Sequence, residues 1–379
     1  MNFVAHKMLT GDRAKYLGLI FTIAFSSFLL ANQTSIFAGI LARTGSQIVD
    51  VADADLWVMD PRTEYVDEVK PLTENDLYRV RGVPGVQWAV RLFKGAARAT
   101  APDGKFRQVI LLGLDDTTLV GAPRHMILGA FQELQEPDAV IIDLAGYTFF
   151  FPNEPLQVGA TFEMNDRRAK IVGIANASAP FATFPVMFSR YSQAVNYVGR
   201  ERNLLSFVLV KAQPGVPLDA LSARIESATG LRAATGDAFF WQTIRYYLRN
   251  TGIPVNFGIT VSLAFLVGAG IAGQTFYLFT LENLKQFGAL KAIGVTDWRI
   301  ISMLLLQAIV VGVLGFALGM GMGAAFFEIF QHYLPTRGIV LLWQSVVGAG
   351  VAVLVIVILA SLMSIRRVLV LEPAIVFRG

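Results

Sequence analysis

IISMLLLQAIVVGVLGFALGMGMGAAFFEI, residues 300–329, carries no charge until Glu328. A helix rising about 1.5 Å per residue needs about 20 such residues to cross a hydrocarbon core about 30 Å thick, so this run reads as a transmembrane span. Two more flank it, at 254–281 and 339–365, and a fourth lies far upstream at 17–41, LGLIFTIAFSSFLLANQTSIFAGIL. That upstream run is too long for the apolar part of a signal peptide, and no small-x-small cleavage site follows it, which makes it an uncleaved anchor. Composition points the same way. The 379 residues are 54% hydrophobic and 16% charged, with a mean hydropathy of +0.53, whereas soluble proteins carry about a quarter charged residues.

Short flanking segments that hold Lys and Arg stay on the cytoplasmic side. Lys7, Arg13 and Lys15 precede the first span, Lys285, Lys291 and Arg299 lie between the second and third, and Arg366, Arg367 and Arg378 follow the fourth. Only Arg337 lies between the third and fourth. Both termini and the 282–299 loop are therefore expected in the cytoplasm, with the chain a multi-pass membrane protein. Residues 42–253 are then outside. They hold 22 Lys and Arg against 23 Asp and Glu, so the net charge of +4 belongs to the membrane part. The basic excess is a matter of topology and excludes a nucleic-acid patch. Absence of cysteine excludes disulfides, thiol nucleophiles, iron–sulfur clusters and cysteine-ligated zinc.

The fold class expected is a membrane all-α bundle of four transmembrane helices plus an α+β extracytoplasmic domain inserted between helices 1 and 2. In chain order this gives an N-terminal segment and first span (1–41), the outer domain with its stalk (42–253), a span (254–281), a cytoplasmic loop (282–299), a span (300–329), an outer loop (330–338), a span (339–365) and a cytoplasmic tail (366–379). Within the outer domain, strands are expected at 54–59, 87–100, 106–114, 139–142, 170–175 and 204–211, and helices at 74–81 and 218–228. Hairpins should fold at Asp103-Gly104 and Asn165-Asp166. This arrangement predicts two subdomains, with the first and last elements packed together. Residues 42 to about 235 are expected to fold alone. Phe239, Phe240, Trp241, Tyr246 and Tyr247 read as an aromatic belt at the outer interface, or as a stalk continuous with the second span and bent at Pro254.

GAGIAG, residues 268–273, matches a dinucleotide fingerprint by letters, but it sits in a membrane span without the strand and helix setting that chemistry needs. Its glycines are better explained by close helix packing. Gly315, Gly319 and Gly323, four apart, form a second such face, directed at another span or at a second subunit. There is no GxxxxGK[ST] loop, HExxH or GxSxG, and His6, His125 and His332 fall in three separate segments. No catalytic or metal site is expected. Asn176-Ala-Ser178 is a glycosylation sequon by letters only. Asn32, Gln33, Asn256 and Gln274 are neutral polar residues inside spans, suited to hydrogen bonds between helices.

The loop ENLKQFGALKAIGVTDWR, residues 282–299, on its chemistry alone reads as an interfacial helix between two spans. Its sequence Phe287-Gly-Ala-Leu-Lys-Ala-Ile-Gly-Val295, directly after a span and before Asp297-Trp-Arg-Ile, resembles the loop signature of the FtsX-like and MacB-like ABC transporter permease superfamily. Ala5-His-Lys-Met-Leu with Arg13 resembles that family's N-terminal elbow helix. Val83-Pro-Gly-Val86 and Ile110-Leu-Leu-Gly-Leu114 resemble its outer core domain, and Arg366-Arg, Glu372-Pro-Ala and Phe377-Arg378 its tail. Phe240-Trp-Gln242 and Gln274 are similar to the DevC-like branch. Gly288 departs from the pattern, since many relatives carry a larger or charged residue there.

The resemblance implies a permease that pairs with a second copy of itself and binds cytoplasmic ABC ATPase subunits. ATP would be held by that partner and no cofactor by this chain. The 282–295 segment would be the coupling helix, using Glu282, Lys285, Phe287, Ala289, Leu290, Lys291, Ile293 and Gly294. The apolar and small residues Phe287, Ala289, Leu290 and Ile293 would form the contact, Phe287, Leu290 and Ile293 sharing a face by three-residue spacing, with Lys285 and Lys291 as rim charges. By the same resemblance ATP-driven closure moves the outer domains, a mechanotransmission mechanism, for export through a periplasmic adaptor and an outer-membrane channel, with membrane lipid around the spans. The alternative is a signalling permease that switches an extracytoplasmic hydrolase. A membrane-anchored sensor without an ATPase is a third reading.

Overall fold

Residues 2–51, 53–178, 180–182, 184–199, 205–333 and 340–369 are described by the structure, a computed structural model. Contacts divide them into two units, residues 40–251 and the remainder. The second unit is helical: α1 (Asn2–Gly11), α2 (Arg13–Thr44, whose last turns pass into the other unit), α9 (Ile253–Glu282), α10 (Leu284–Ala292), α11 (Asp297–Tyr333) and α12 (Trp343–Leu369). Of these, α2, α9, α11 and α12 are long and apolar enough to cross a membrane. The last starts at Trp343, inside the apolar run at 339–365, because residues 340–342 are not helical and the Leu342 N–H donates to Ser35 Oγ at 3.3 Å. The 330–338 loop and the 366–379 tail fall largely outside the described residues.

Leu19 and Ile23 of α2, Phe276 and Phe279 of α9, Val311 of α11 and Ile356 of α12 meet in one buried cluster. Glycines set the spacing around it. A Cβ on Gly315 would stand 2.7 Å from Ile23 Cβ, and one on Gly319 would strike the Ala24 carbonyl, so both glycines face α2 of the same chain. Gly323 is looser, 3.9 Å from Phe28. Gly268 likewise abuts Ser26, which accounts for that part of the fingerprint-like run by packing. The neutral polar residues behave differently from expectation. Asn256 and Gln274 are exposed, and Asn32 Oδ1 has no partner among the described residues. An inter-helix bond comes instead from Gln307, buried on α11, whose Nε2 donates to the Ala5 carbonyl of α1 at 2.7 Å.

The first unit is built on strands β1 (Leu56–Met59), β2 (Val86–Thr100), β3 (Phe106–Leu114), β4 (Met126–Gly129), β5 (Ala139–Asp143), β6 (Thr161–Met164), β7 (Arg167–Ala175), β8 (Val186–Arg190), β9 (Phe207–Ala212) and β10 (Arg232–Thr235). Its helices are α3 (Ser46–Asp50), α4 (Glu74–Arg81), α5 (Leu144–Phe150), α6 (Tyr191–Val198), α7 (Leu218–Thr229) and α8 (Gly236–Asn250). Local chemistry fixes many of their ends. Thr73 and Asp76 form a reciprocal capping box at the start of α4. Gly104 turns the β2–β3 hairpin at φ +83°, and Asn165 and Asp166, both at positive φ, turn β6 into β7.

All ten strands join one sheet in the order β10-β1-β9-β2-β3-β8-β5-β7-β4, with β6 bridging β2 and β7. The ladders β2-β3-β8-β5-β7-β6-β2 therefore close into a ring of six. The two expected subdomains are instead one compact unit, continuous through β2: its first half pairs with β9 and its second half with β3 and β6. The pairs β3–β8 and β5–β7 are parallel, which the hairpin pattern did not anticipate. The first and last expected strands do meet, Leu56 of β1 opposite Val210 of β9, and the unexpected β10 pairs with β1 on its other side, Leu56 opposite Thr235. Side chains of β1 enter both cores, Leu56 and Val58 on one face, Trp57 and Met59 on the other.

The aromatic residues of α8 pack largely against their own domain. Phe239 is fully buried, with its ring centroid 5.7 Å from Trp57 and 5.8 Å from Phe207, and Tyr246 stacks on Tyr65 at 4.2 Å. Phe239 and Tyr246, seven residues apart, fall on the face that α8 turns to its own domain, leaving Trp241 exposed. The domain accordingly ends after α8, at residue 251, and a cut at 235 would remove part of its core. Pro254 lies in the first turn of α9, where its missing N–H costs nothing.

Candidate functional site

The 282–299 segment folds as α10 followed by a tight exit into α11. Gly294 has φ +89°, its N–H donates to the Lys291 carbonyl at 3.0 Å, and the Val295 N–H donates to the Leu290 carbonyl at 3.0 Å. This is a Schellman close, which requires the left-handed residue that only glycine adopts freely. Gly294 shapes the exit of the helix and has no side chain to offer a partner.

The apolar face of α10 is turned inward. Phe287 is fully buried among Ile300, Leu304, Ile365 and Val368, with Leu284 and Leu290 packed against the same cluster. An outward contact was expected of Phe287 and Leu290; Phe287 is instead turned wholly into the chain's own cluster, and Leu290 is half-buried beside it. A large ring on a helix that covers the ends of its own bundle is stabilised more by that bundle than by water.

Two of the expected charges also face the chain itself. Glu282 pairs with Lys15, which holds Asp12 as well at 3.0 Å. The Lys15 ammonium, hydrogen-bonded to Asp12, keeps that carboxyl below its ordinary range. Lys291 pairs with Asp297 at 2.9 Å and donates to the Leu369 carbonyl at 3.2 Å, clamping α10 to the start of α11 and the end of α12.

The exposed residues of the segment include Lys285, Ala289, Ala292 and Ile293, three and four apart along one side of α10, and Trp298 in the first turn of α11. Ile293 is 78% exposed and Trp298 74%, large apolar side chains left uncovered by the described residues. Of the residues expected in the contact, Lys285, Ala289 and Ile293 thus lie together on the open face. Ala292 and Trp298, which the sequence reading did not single out, are exposed as well. Gly315, Gly319 and Gly323 lie elsewhere, on α11. Among the described residues there is no cluster of His, Asp or Glu able to hold a metal ion.

Residues 17–228 match the MacB-like periplasmic core domain, and residues 241–373 match the FtsX-like permease C-terminal domain. The chain belongs to the MacB-like and FtsX-like ABC transporter permeases. Among similar permeases, an ABC transporter permease of Mycobacterium tuberculosis is 25% identical over 322 residues, which cover 82% of this chain and 80% of that one. Another, from Mycobacterium bovis, is 29% identical over 320 residues, again 82% and 80%. HrtB of Staphylococcus haemolyticus, a permease named for hemin transport, is 24% identical over 271 residues, 68% of this chain and 69% of that one. A solved structure similar to this permease is the periplasmic region of MacB from Actinobacillus actinomycetemcomitans, with a TM-score of 0.39 and 16% identity over 54% of this chain and 96% of that one.

Proposed function

We propose that this permease is the membrane subunit of a transporter in the bacterial cytoplasmic membrane, driven by a separate cytoplasmic ABC ATPase that binds the ATP. The carrying observation is α10, a short helix between two apolar helices, pinned by Phe287 and Lys291 on one side and bare at Ala289, Ile293 and Trp298 on the other. A rigid helix with an uncovered apolar strip suits docking in a groove of a partner, where movement on either side is passed on without the helix deforming. Distribution of Lys and Arg supports a cytoplasmic position for α10 and both termini, and an outer position for residues 42–253. Two copies of the chain with their ATPases would then convert nucleotide closure into movement of the outer domains. The relatives named above are transporter permeases, which supports a transport role over signalling; export through an adaptor and an outer-membrane channel is part of the same proposal.

Substitution on the bare strip tests this. A carboxylate forced into a buried contact is left desolvated and unpaired, so Ile293→Asp and Ala289→Asp should abolish co-purification of the ATPase from the native cells, while Lys285→Ala, a rim charge, should be mild. Membrane insertion and thermal stability of the variants should equal those of the parent. Full ATPase retention by both variants would remove the coupling reading.

A further inference from the structure

A cleft of about 690 Å³ in the sheet domain runs between α8 and residues 61–70, and cationic side chains line it. Arg245 and Arg249 stand four apart on α8 and so share a face, Arg232 comes from β10, and Arg62 and Lys70 lie opposite. Two of these are committed. Arg62 grips Asp60 with two bonds of 3.0 Å, and Lys70 pairs with Glu68 at 3.2 Å and donates to the Arg62 carbonyl at 2.7 Å. Among the described residues Arg232, Arg245 and Arg249 have no carboxylate partner; Arg245 makes one hydrogen bond, from Nε to the Trp241 carbonyl of its own helix at 3.3 Å. Glu64 on the wall is also unpaired among the described residues, so the cleft keeps an excess of positive charge.

Its walls are already joined. Gln242 Nε2 donates to the carbonyls of Thr63 and Glu64 at 2.9 and 3.0 Å, and Tyr65 stacks on Tyr246. A fixed cleft with three unpaired guanidinium forks offers little to a neutral ligand, and planar, paired donors suited to phosphate oxygens.

We propose that this cleft is a binding site for a phosphate-bearing anion, held by Arg232, Arg245 and Arg249. Both an anionic phospholipid headgroup and a free phosphate ester present that group. The site rests on the cleft alone, and only the lipid source depends on the reading of α9 as a membrane span.

The test uses the full chain in detergent, followed by native mass spectrometry with phosphatidylglycerol or phosphatidylcholine and by thermal shift with inorganic phosphate. Arg245→Gln/Arg249→Gln should lower retention of phosphatidylglycerol about tenfold or more, as expected for losing charge-assisted bonds, with phosphatidylcholine unchanged. Arg232→Gln should act in the same direction, and as a change in a different element it guards against a folding defect in α8. A phosphate-dependent thermal shift lost in the variants, without a difference in lipid retention, assigns the site to a soluble phosphate ester. If neither phosphatidylglycerol nor phosphate distinguishes the parent from both variants, the site does not exist. ATPase co-purification is unaffected in every arm, so failure here is separable from failure of the coupling reading.

Discussion

Phe287 and Ile293 carry opposite burdens although six residues of one short segment separate them. At about 100° per residue, Ile293 lies about 120° around the helix from Phe287, on the side of Lys285 and Ala289. Phe287→Ala should therefore lower the thermal unfolding temperature of the purified chain, since emptying a packed aromatic site costs about 3–5 kcal/mol, whereas Ile293→Asp should leave it unchanged. Equal melting of the two variants would contradict the burial described. Asp143 supplies a second residue-scale expectation. Its buried carboxyl accepts from the Gly146 and Val186 N–H groups at 3.1 and 3.0 Å, and burial pushes its pKa from 3.8 up to about 7. Folded chains thus bind this proton more tightly than unfolded ones, so the contribution to stability is full below about pH 4 and is lost as pH rises to about 7. Asp143→Asn keeps an oxygen acceptor and removes the titration, and melting curves between pH 4 and 8 should be correspondingly flatter. An unchanged slope would assign the pH dependence to other groups.

Among elements, α2 and α11 make the sharper prediction. Gly319→Ala drives a Cβ into the Ala24 backbone carbonyl and should cost about 1–3 kcal/mol, while Gly323→Ala meets only Phe28 at an ordinary 3.9 Å and should be tolerated. Comparable melting of both variants in detergent would mean that the helices are not held at this spacing. How much of this was legible depends on the signal each element leaves. Four uncharged runs announce the long helices, and Asp103-Gly104 and Asn165-Asp166 announce hairpins because positive φ selects those residues. By contrast β8 and β10 are four or five residues long without clear alternation, and their places are set by partners remote in sequence, β3 and β1. On α10 the apolar spacing revealed a helix with one greasy side. Which side the chain would keep for itself depended on Ile300, Leu304 and Val368, neighbours that no local pattern reveals.

For the whole molecule, orientation is open to direct measurement because the native chain has no cysteine. Cysteine placed at exposed Gln286 should escape an impermeant thiol reagent in intact cells, and cysteine at exposed Ser178 should react; labelling at Gln286 would reverse the topology and with it the ATPase argument. Residues 40–251 expressed alone should unfold cooperatively, and a fragment ending at 235 should not, since it lacks the Phe239 ring that covers Trp57. Failure of the longer fragment would mean that the helical unit is needed for folding. The ladder between β1 and β10 has a further meaning. Leu56 sits opposite Thr235, so the polypeptide comes into this sheet and departs from it on adjacent antiparallel strands. An insert whose two ends are already fastened together asks of its host only a pair of nearby attachment points. Such a cassette is free to be exchanged, enlarged or deleted over evolutionary time while the host lineage keeps its own architecture.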